Sequence, residues 1–273
     1  MPIPSSALEN DPFLRVLVMG PPKLGKTTTA ITTSEGKTRV LLCEADSALS
    51  EAKRRKGNFD FERCLSDKAY EQMTTFLAQA KEDAKSGSIQ NLLIDPLSDF
   101  ADRLLAQSHK LNLTKGGEED GRRAYPQCTK RLLHCLDLAF TIPCHVIVVC
   151  HYIDVGGQEL PGALEKTGDG IVPLLPGQAR ARVAAKFNDV VWFDIDKADN
   201  EKRIFVTGPQ GAWGPGCRSL SRFAILPADF TKLIETFKTG LPKKAAPTTT
   251  PTNGVAKSPL KSPTKPQPPQ PRK

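Results

Sequence analysis

The stretch Gly20-Pro21-Pro22-Lys23-Leu24-Gly25-Lys26-Thr27 sets two glycines, a lysine and a hydroxyl at the spacing G-x-x-x-x-G-K-[ST]. Its chemistry is the holding of a polyphosphate. Glycines let backbone N–H groups turn inward around phosphate oxygens, a following helix adds the positive end of its dipole, and the Lys26 ammonium reaches the β and γ phosphates. The Thr27 hydroxyl is then a ligand for Mg²⁺, and Gly20 through Thr28 form the loop that binds the nucleotide: Gly20, Pro21, Pro22, Lys23, Leu24, Gly25, Lys26, Thr27 and Thr28. The plain alternative, an ordinary glycine-rich turn, lacks the apolar strand before and the helix after that are predicted here.

Two further groups of carboxylates belong near such a loop. Asn91-Leu92-Leu93-Ile94-Asp95 reads as an apolar strand ending in an acid, where a second magnesium-associated group, acting through a bound water, is needed. By itself, an Asp ahead of Pro96 reads as a helix cap. Cys43-Glu44-Ala45-Asp46-Ser47 follows another apolar strand and brings two carboxylates to the sheet edge where nucleotides bind in open α/β sheets. One of them could orient an attacking water; otherwise Asp46 simply starts a solvated helix. Three Cys-His neighbours (His134-Cys135, Cys144-His145 and Cys150-His151) invite a metal reading, but none has a chelating spacing.

These residues need strands and helices to hold them. Residues 13–19, 39–43, 91–94 and 145–150 are short apolar runs typical of strands covered on both faces, and 190–193 and 203–206 read as two more, with a turn near Asp199-Asn200. Between them, 26–34, 66–85, 96–109, 127–140 and 228–238 have helical periodicity or helix start signals, and 179–187 regains a short helical look. Alternation of this kind predicts an α/β fold with a mostly parallel sheet and helices on both faces. Residues 152–178 hold six glycines and no clear period, the mark of a functional or mobile loop.

Composition bounds the partners. The formal charge is +8, but residues 241–273 carry seven Lys or Arg and no acid, leaving 31 basic against 30 acidic residues in 1–240. Any nucleic-acid surface on the globular part is therefore local. With nine prolines in its 33 residues and little to bury, this tail is expected to be disordered, after an N-terminal extension at 1–12 and a single domain at 13–240. Seven scattered cysteines without a C-x-x-C pair suit a reducing cytoplasm rather than a disulfide framework. Neither a signal peptide nor a run of about 20 apolar residues is present, so no membrane partner is expected.

The order of motifs resembles that of the RecA-like ATPases: phosphate loop, a strand ending in Glu44-Ala45-Asp46, an apolar strand ending in Asp95, and a strand ending in Cys150-His151. It is closest to compact phage-type members with single-strand-annealing recombinase activity, and it spans roughly 13–240. The resemblance implies a RecA-like core, ATP with Mg²⁺, hydrolysis to ADP, and a homo-oligomer, ring or filament, in the host cytoplasm if a phage encodes it. It implies that Lys26, Asp46 or Glu44, Asp95, His151 and Arg218 carry catalysis. By position Asp46 matches the catalytic acid, His151 the γ-phosphate sensor, and Arg218, ahead of Arg222, the cation inserted into a neighbouring subunit. Members usually have Glu where Asp46 stands, and His151 reads equally as a structural residue.

The irregular segment after His151 corresponds to the DNA-contacting loop of that family and leads to Arg180, Arg182 and Lys186, candidates for single-stranded DNA phosphates. Arg182 and Lys186, four apart, share one helical face, which a merely solvated helix also explains. The tail either holds DNA loosely, attracts an acidic partner such as a single-strand-binding protein, or maintains solubility. The rival to a DNA recombination protein is a nucleotide-dependent assembly factor without nucleic acid. A small-molecule kinase ranks below both, because 110–126 lacks an Arg-rich lid.

Overall fold

β1 (Arg15–Met19) is buried along its whole length, and so is β4 (Asn91–Asp95), as strands covered on both faces must be. The computed structural model describes residues 12–65, 67–154, 171–207, 217, 219–220 and 225–239. The chain separates into two units, Met1–Leu241 and Pro242–Lys273, and the expectations for 1–11 and for the tail lie outside the described residues.

In chain order, β1 is followed by α1 (Lys26–Thr32), β2 (Thr38–Leu42), a 3-10 turn (Asp46–Leu49), α2 (Ser50–Arg54), β3 (Phe59–Arg63) and α3 (Ala69–Lys85). Then come β4, α4 (Leu97–Leu111), α5 (Gly121–Phe140), β5 (His145–Val149), β6 (Tyr152–Asp154) and β7 (Ile171–Pro173). The last elements are α6 (Ala179–Ala184), β8 (Asp189–Asp196), β9 (Asp199–Val206), β10 (Ile225–Pro227) and α7 (Phe230–Thr239).

The main sheet has the order β10-β9-β8-β1-β5-β4-β2-β3, in which β8, β1, β5, β4, β2 and β3 run parallel and β9 and β10 join antiparallel. One strand, β5, thus separates the phosphate-loop strand from the strand ending in Asp95. This is the α/β, RecA-like arrangement that the sequence predicts. The sheet divides two apolar clusters: α3, α4, α5 and α6 cover one face, and α1, α2 and α7 the other.

Several boundaries differ from expectation for physical reasons. β3 escapes notice because Phe59-Asp60-Phe61-Glu62-Arg63 is polar and lies at the sheet edge, where little of it is buried. α5 begins six residues ahead of Gln127: the Asp120 side chain accepts from Arg122 N at the cap, and Pro126 sits exposed inside the helix. The β8–β9 turn falls before Asp199, not at Asp199-Asn200. Part of the irregular segment is ordered, since β6 and β7 pair antiparallel. Arg15, the one charge in the first strand, is buried and donates to the carbonyls of Phe140 (3.1 Å), Ile142 (3.0 Å) and Cys144, closing the C-terminal end of α5. Among the described residues no helix is long and apolar enough to cross a membrane.

Candidate functional site

The phosphate loop leaves β1 through Gly20, whose φ is 151° and whose Cα is so close to the Phe193 carbonyl of β8 that a Cβ would clash with it. Only glycine satisfies both constraints. The loop turns through Lys23 (φ 63°) and reaches α1 at Gly25 (φ 97°), which caps the helix without a side-chain hydrogen bond; the first turn of the helix carries no acid. Its leading amides are therefore available to an anion. The Lys26 Nζ, 6% exposed, folds back on the loop and donates to Gly20 O (2.9 Å) and Pro21 O (2.8 Å). Burial lowers its pKa from the ordinary lysine value, against the opposing pull of Asp95 and Glu44.

A cleft of about 610 Å³ opens over this loop, lined by Pro22 through Thr29 and by Glu44, Asp95, His151 and Arg203. Ser47, Ala48, Glu51, Arg55 and Val149 line it as well. Asp95 ends β4 at the cleft floor, 1% exposed, with Oδ2 lacking a hydrogen-bond partner. Burial pushes its carboxyl up to about 7, opposed by a hydrogen bond from Thr27. Glu44, just past β2, is also held above the ordinary carboxylate range, first by burial and then by Asp99, while His151 and Lys26 pull it down. An orphaned buried oxygen on Asp95 beside the Thr27 hydroxyl fits a hard divalent cation. Among the described residues no cluster of three His, Cys, Asp or Glu stands where it could hold a metal ion.

His151 follows β5. Its backbone N–H donates to Ser98 Oγ (2.9 Å), its carbonyl accepts from Leu174 N (2.8 Å), and its Nε2 lies 4.0 Å from Asp99 Oδ1. The sensor candidate is therefore tied both to α4 and to the strand that closes the β6–β7 pair.

Other candidates are arranged differently. Asp46 is not among the cleft-lining residues: both guanidinium arms of Arg63 hold its exposed carboxylate, with Nε at 2.6 Å. The strand-end acid in the cleft is Glu44. Arg180, Arg182 and Lys186 form no common array, because α6 stops at Ala184; Arg180 donates to the Leu175 carbonyl (2.8 Å) and Lys186 to Asp137 of α5 (2.6 Å). Arg182 alone of the three is exposed and without such a bond among the described residues. Arg218 and Arg222 lie outside the described residues. Arg203, Ser47, Glu51 and Arg55 were not anticipated in the cleft: Arg203 reaches it from a strand 179 positions beyond Leu24, a distance over which no local pattern signals contact.

A family model described as an AAA domain matches residues 13–216. The chain belongs to the AAA domain family. Among solved structures, the KaiC-like protein PH0186 from Pyrococcus horikoshii OT3 is similar at 18% identity, over 71% of this chain and 77% of that one, with a TM-score of 0.39. No curated protein sequence matches. In this AAA domain the family match runs from the strand that feeds the phosphate loop through the β8–β9 hairpin. With the loop, the buried Asp95 and the cleft between them, it is a P-loop ATPase.

Proposed function

We propose that this ATPase hydrolyses ATP to ADP and phosphate and uses the cycle to bind single-stranded DNA and promote the pairing of complementary strands. The observation that supports the hydrolytic half is the presence of Glu44 in one cleft with Lys26, Asp95 and His151. Lys26 exchanges its two loop carbonyls for phosphate oxygens. Thr27 and, through water, Asp95 would hold Mg²⁺, which would supply charge neutralisation to the triphosphate. Glu44 accepts the proton of the attacking water, and its burial makes it a stronger base than a free carboxylate.

His151 reads the γ-phosphate and passes its state along its bonds to Ser98 and Leu174. Leu174 follows β7, one end of the 155–170 segment that corresponds, by the family resemblance, to the DNA loop. Of the three cations first considered, Arg182 is the one left for a phosphate contact, helped by the basic tail, which also suits an acidic single-strand-binding protein. Turnover in a homo-oligomer draws on Arg218 of a neighbouring copy.

The engagement of Arg180 and Lys186 within the fold favours a second reading, an assembly factor that switches protein contacts without nucleic acid. Phosphate release measured with and without single-stranded DNA at two salt concentrations separates them. DNA-accelerated turnover that fades with salt supports the recombination reading, because phosphate contacts release counterions. Turnover indifferent to DNA sinks it and leaves the assembly factor.

A further inference from the structure

The β8–β9 hairpin touches the phosphate loop at both ends. At the start of the loop Gly20 packs against the Phe193 carbonyl. At its end, Arg203 of β9 donates from Nε to the Leu24 carbonyl at 2.6 Å, and the same nitrogen lies 3.7 Å from where a Cβ on Gly25 would sit. Phe193 pairs with Phe205 and Ile195 with Arg203, so the two contacts stand two residues apart in the register of one hairpin. The aromatic pair is buried in the core, and Arg203, two residues before Phe205 on the same face of the strand, emerges at the cleft wall.

Of the other basic side chains that line the cleft, Lys23 stands exposed on the loop, and two are engaged. Arg55 is neutralised by Glu51 (2.7 Å), and Lys26 is bound to loop carbonyls. Among the described residues Arg203 makes no ion pair, and its one hydrogen bond besides that to Leu24 is long, 3.5 Å from Nη1 to Glu201 O. An arginine fixed at Nε keeps a planar fork of donors whose geometry matches phosphate oxygens. The Leu24 bond limits the freedom that an exposed side chain would otherwise lose on binding. An unanchored surface charge, by contrast, would be largely screened.

We propose that Arg203 is a triphosphate-positioning residue acting from the same chain. Through the Leu24 carbonyl it fixes the outer turn of the phosphate loop, and it presents its remaining guanidinium donors to the polyphosphate. This assignment rests on the reading of the cleft as a nucleotide site.

The test uses the full chain and fluorescently labelled ATP and AMP with Mg²⁺. Arg203→Gln keeps an N–H for Leu24 but no charge, and Arg203→Lys keeps a charge without the fork. The expected result is a loss of about tenfold or more in ATP affinity for Arg203→Gln, a smaller loss for Arg203→Lys, and AMP affinity changed much less. In turnover, Arg203→Gln should raise KM with kcat nearly unchanged, as removal of uniform binding does. The split between ATP and AMP, and between KM and kcat, is a readout that a general loss of folding would not produce. Wild-type ATP affinity in both variants, or equal losses for ATP and AMP, overturns the assignment while leaving the nucleotide site standing. Failure of the wild-type chain to retain either nucleotide removes the site and the assignment together.

Discussion

Arg63 holds the Asp46 carboxylate through both Nε and Nη2, at the mouth of β3. An acid so engaged has one acceptor position on each oxygen committed to a guanidinium and lies outside the cleft, whereas Glu44, two residues earlier, shares the cleft with Lys26 and is held above the ordinary carboxylate range by burial. Glu44→Gln is therefore expected to retain ATP while slowing phosphate release about 10²-fold to 10⁴-fold, the usual range for a general base. Asp46→Asn gives up only a solvent-exposed pair, which contributes little to stability, and should turn over within a few-fold of wild type. The reverse ranking in a single-turnover assay would return the role to Asp46.

Lys26 donates to two loop carbonyls beside an open cleft, where water can take its place in Lys26→Ala, so its loss weighs less on the free loop than on the bound one. In wild type, MgATP at about 100 times its Kd should stabilise the fold by about 2.7 kcal/mol and raise the melting temperature accordingly. Lys26→Ala should melt near wild type without nucleotide and show no rise with it. A full nucleotide-dependent shift in Lys26→Ala would remove the ammonium from the binding account.

Gly20 tests the loop from below. A Cβ there collides with the Phe193 carbonyl, which is main chain and cannot swing aside, and φ of 151° adds strain. Gly20→Ala is expected to cost about 1–3 kcal/mol in denaturant unfolding and to weaken nucleotide binding as the loop shifts from β8. Gly87→Ala provides the contrast, because its φ is also positive, at 73°, but nothing lies within 4 Å of its Cβ position. Loss of nucleotide affinity in both variants would show that backbone strain alone, without the Phe193 contact, accounts for it.

How much of this was legible follows from how local each signal is. The phosphate loop and Asp95 are read from contiguous residues, because the geometry they need is built by their immediate neighbours. The central strands are equally plain, since burial on both faces writes an unbroken apolar run. Glu44 and Asp46 stand two apart in sequence, and nothing local decides between them. What sets them apart in the fold is Arg63, which binds Asp46 from β3, a strand too polar to be recognised. Arg182 and Lys186 share one helical face by spacing alone, but α6 ends at Ala184 and Lys186 is taken by Asp137 on α5, neither of which the spacing signals. Arg203 and Arg15 act across 179 and 125 or more positions, where spacing carries no information.

Arg15 illustrates what such a long-range residue does for stability. Its guanidinium closes carbonyls of Phe140, Ile142 and Cys144, between the last turn of α5 and the start of β5. Arg15→Met fills similar volume but leaves those buried acceptors unpaired, at about 1–3 kcal/mol each where water cannot reach them. The expected signature is a lower denaturant midpoint with nucleotide affinity retained at low temperature. An unchanged midpoint would mean that water replaces the guanidinium at no cost.

Asp95 sets the pH response of the nucleotide-free protein. Its carboxyl titrates near 7 in the fold against an ordinary 3.8, because burial disfavours the charged form. Between those values the folded state binds the proton and the unfolded state does not, so this group's contribution to stability is complete below about 4 and is lost as pH rises through 7. Asp95→Asn, permanently neutral, should flatten that slope in denaturant unfolding measured from pH 4.5 to 7.5. MgATP acts in the opposite direction, since a cation beside the carboxylate favours its ionised form. Binding at pH 6 should therefore release close to one proton from this group, visible as a buffer-dependent heat in calorimetry and absent in Asp95→Asn. Heats that do not depend on buffer ionisation in the wild type would show that Asp95 is already charged, and the cause assigned to its raised pKa would fall.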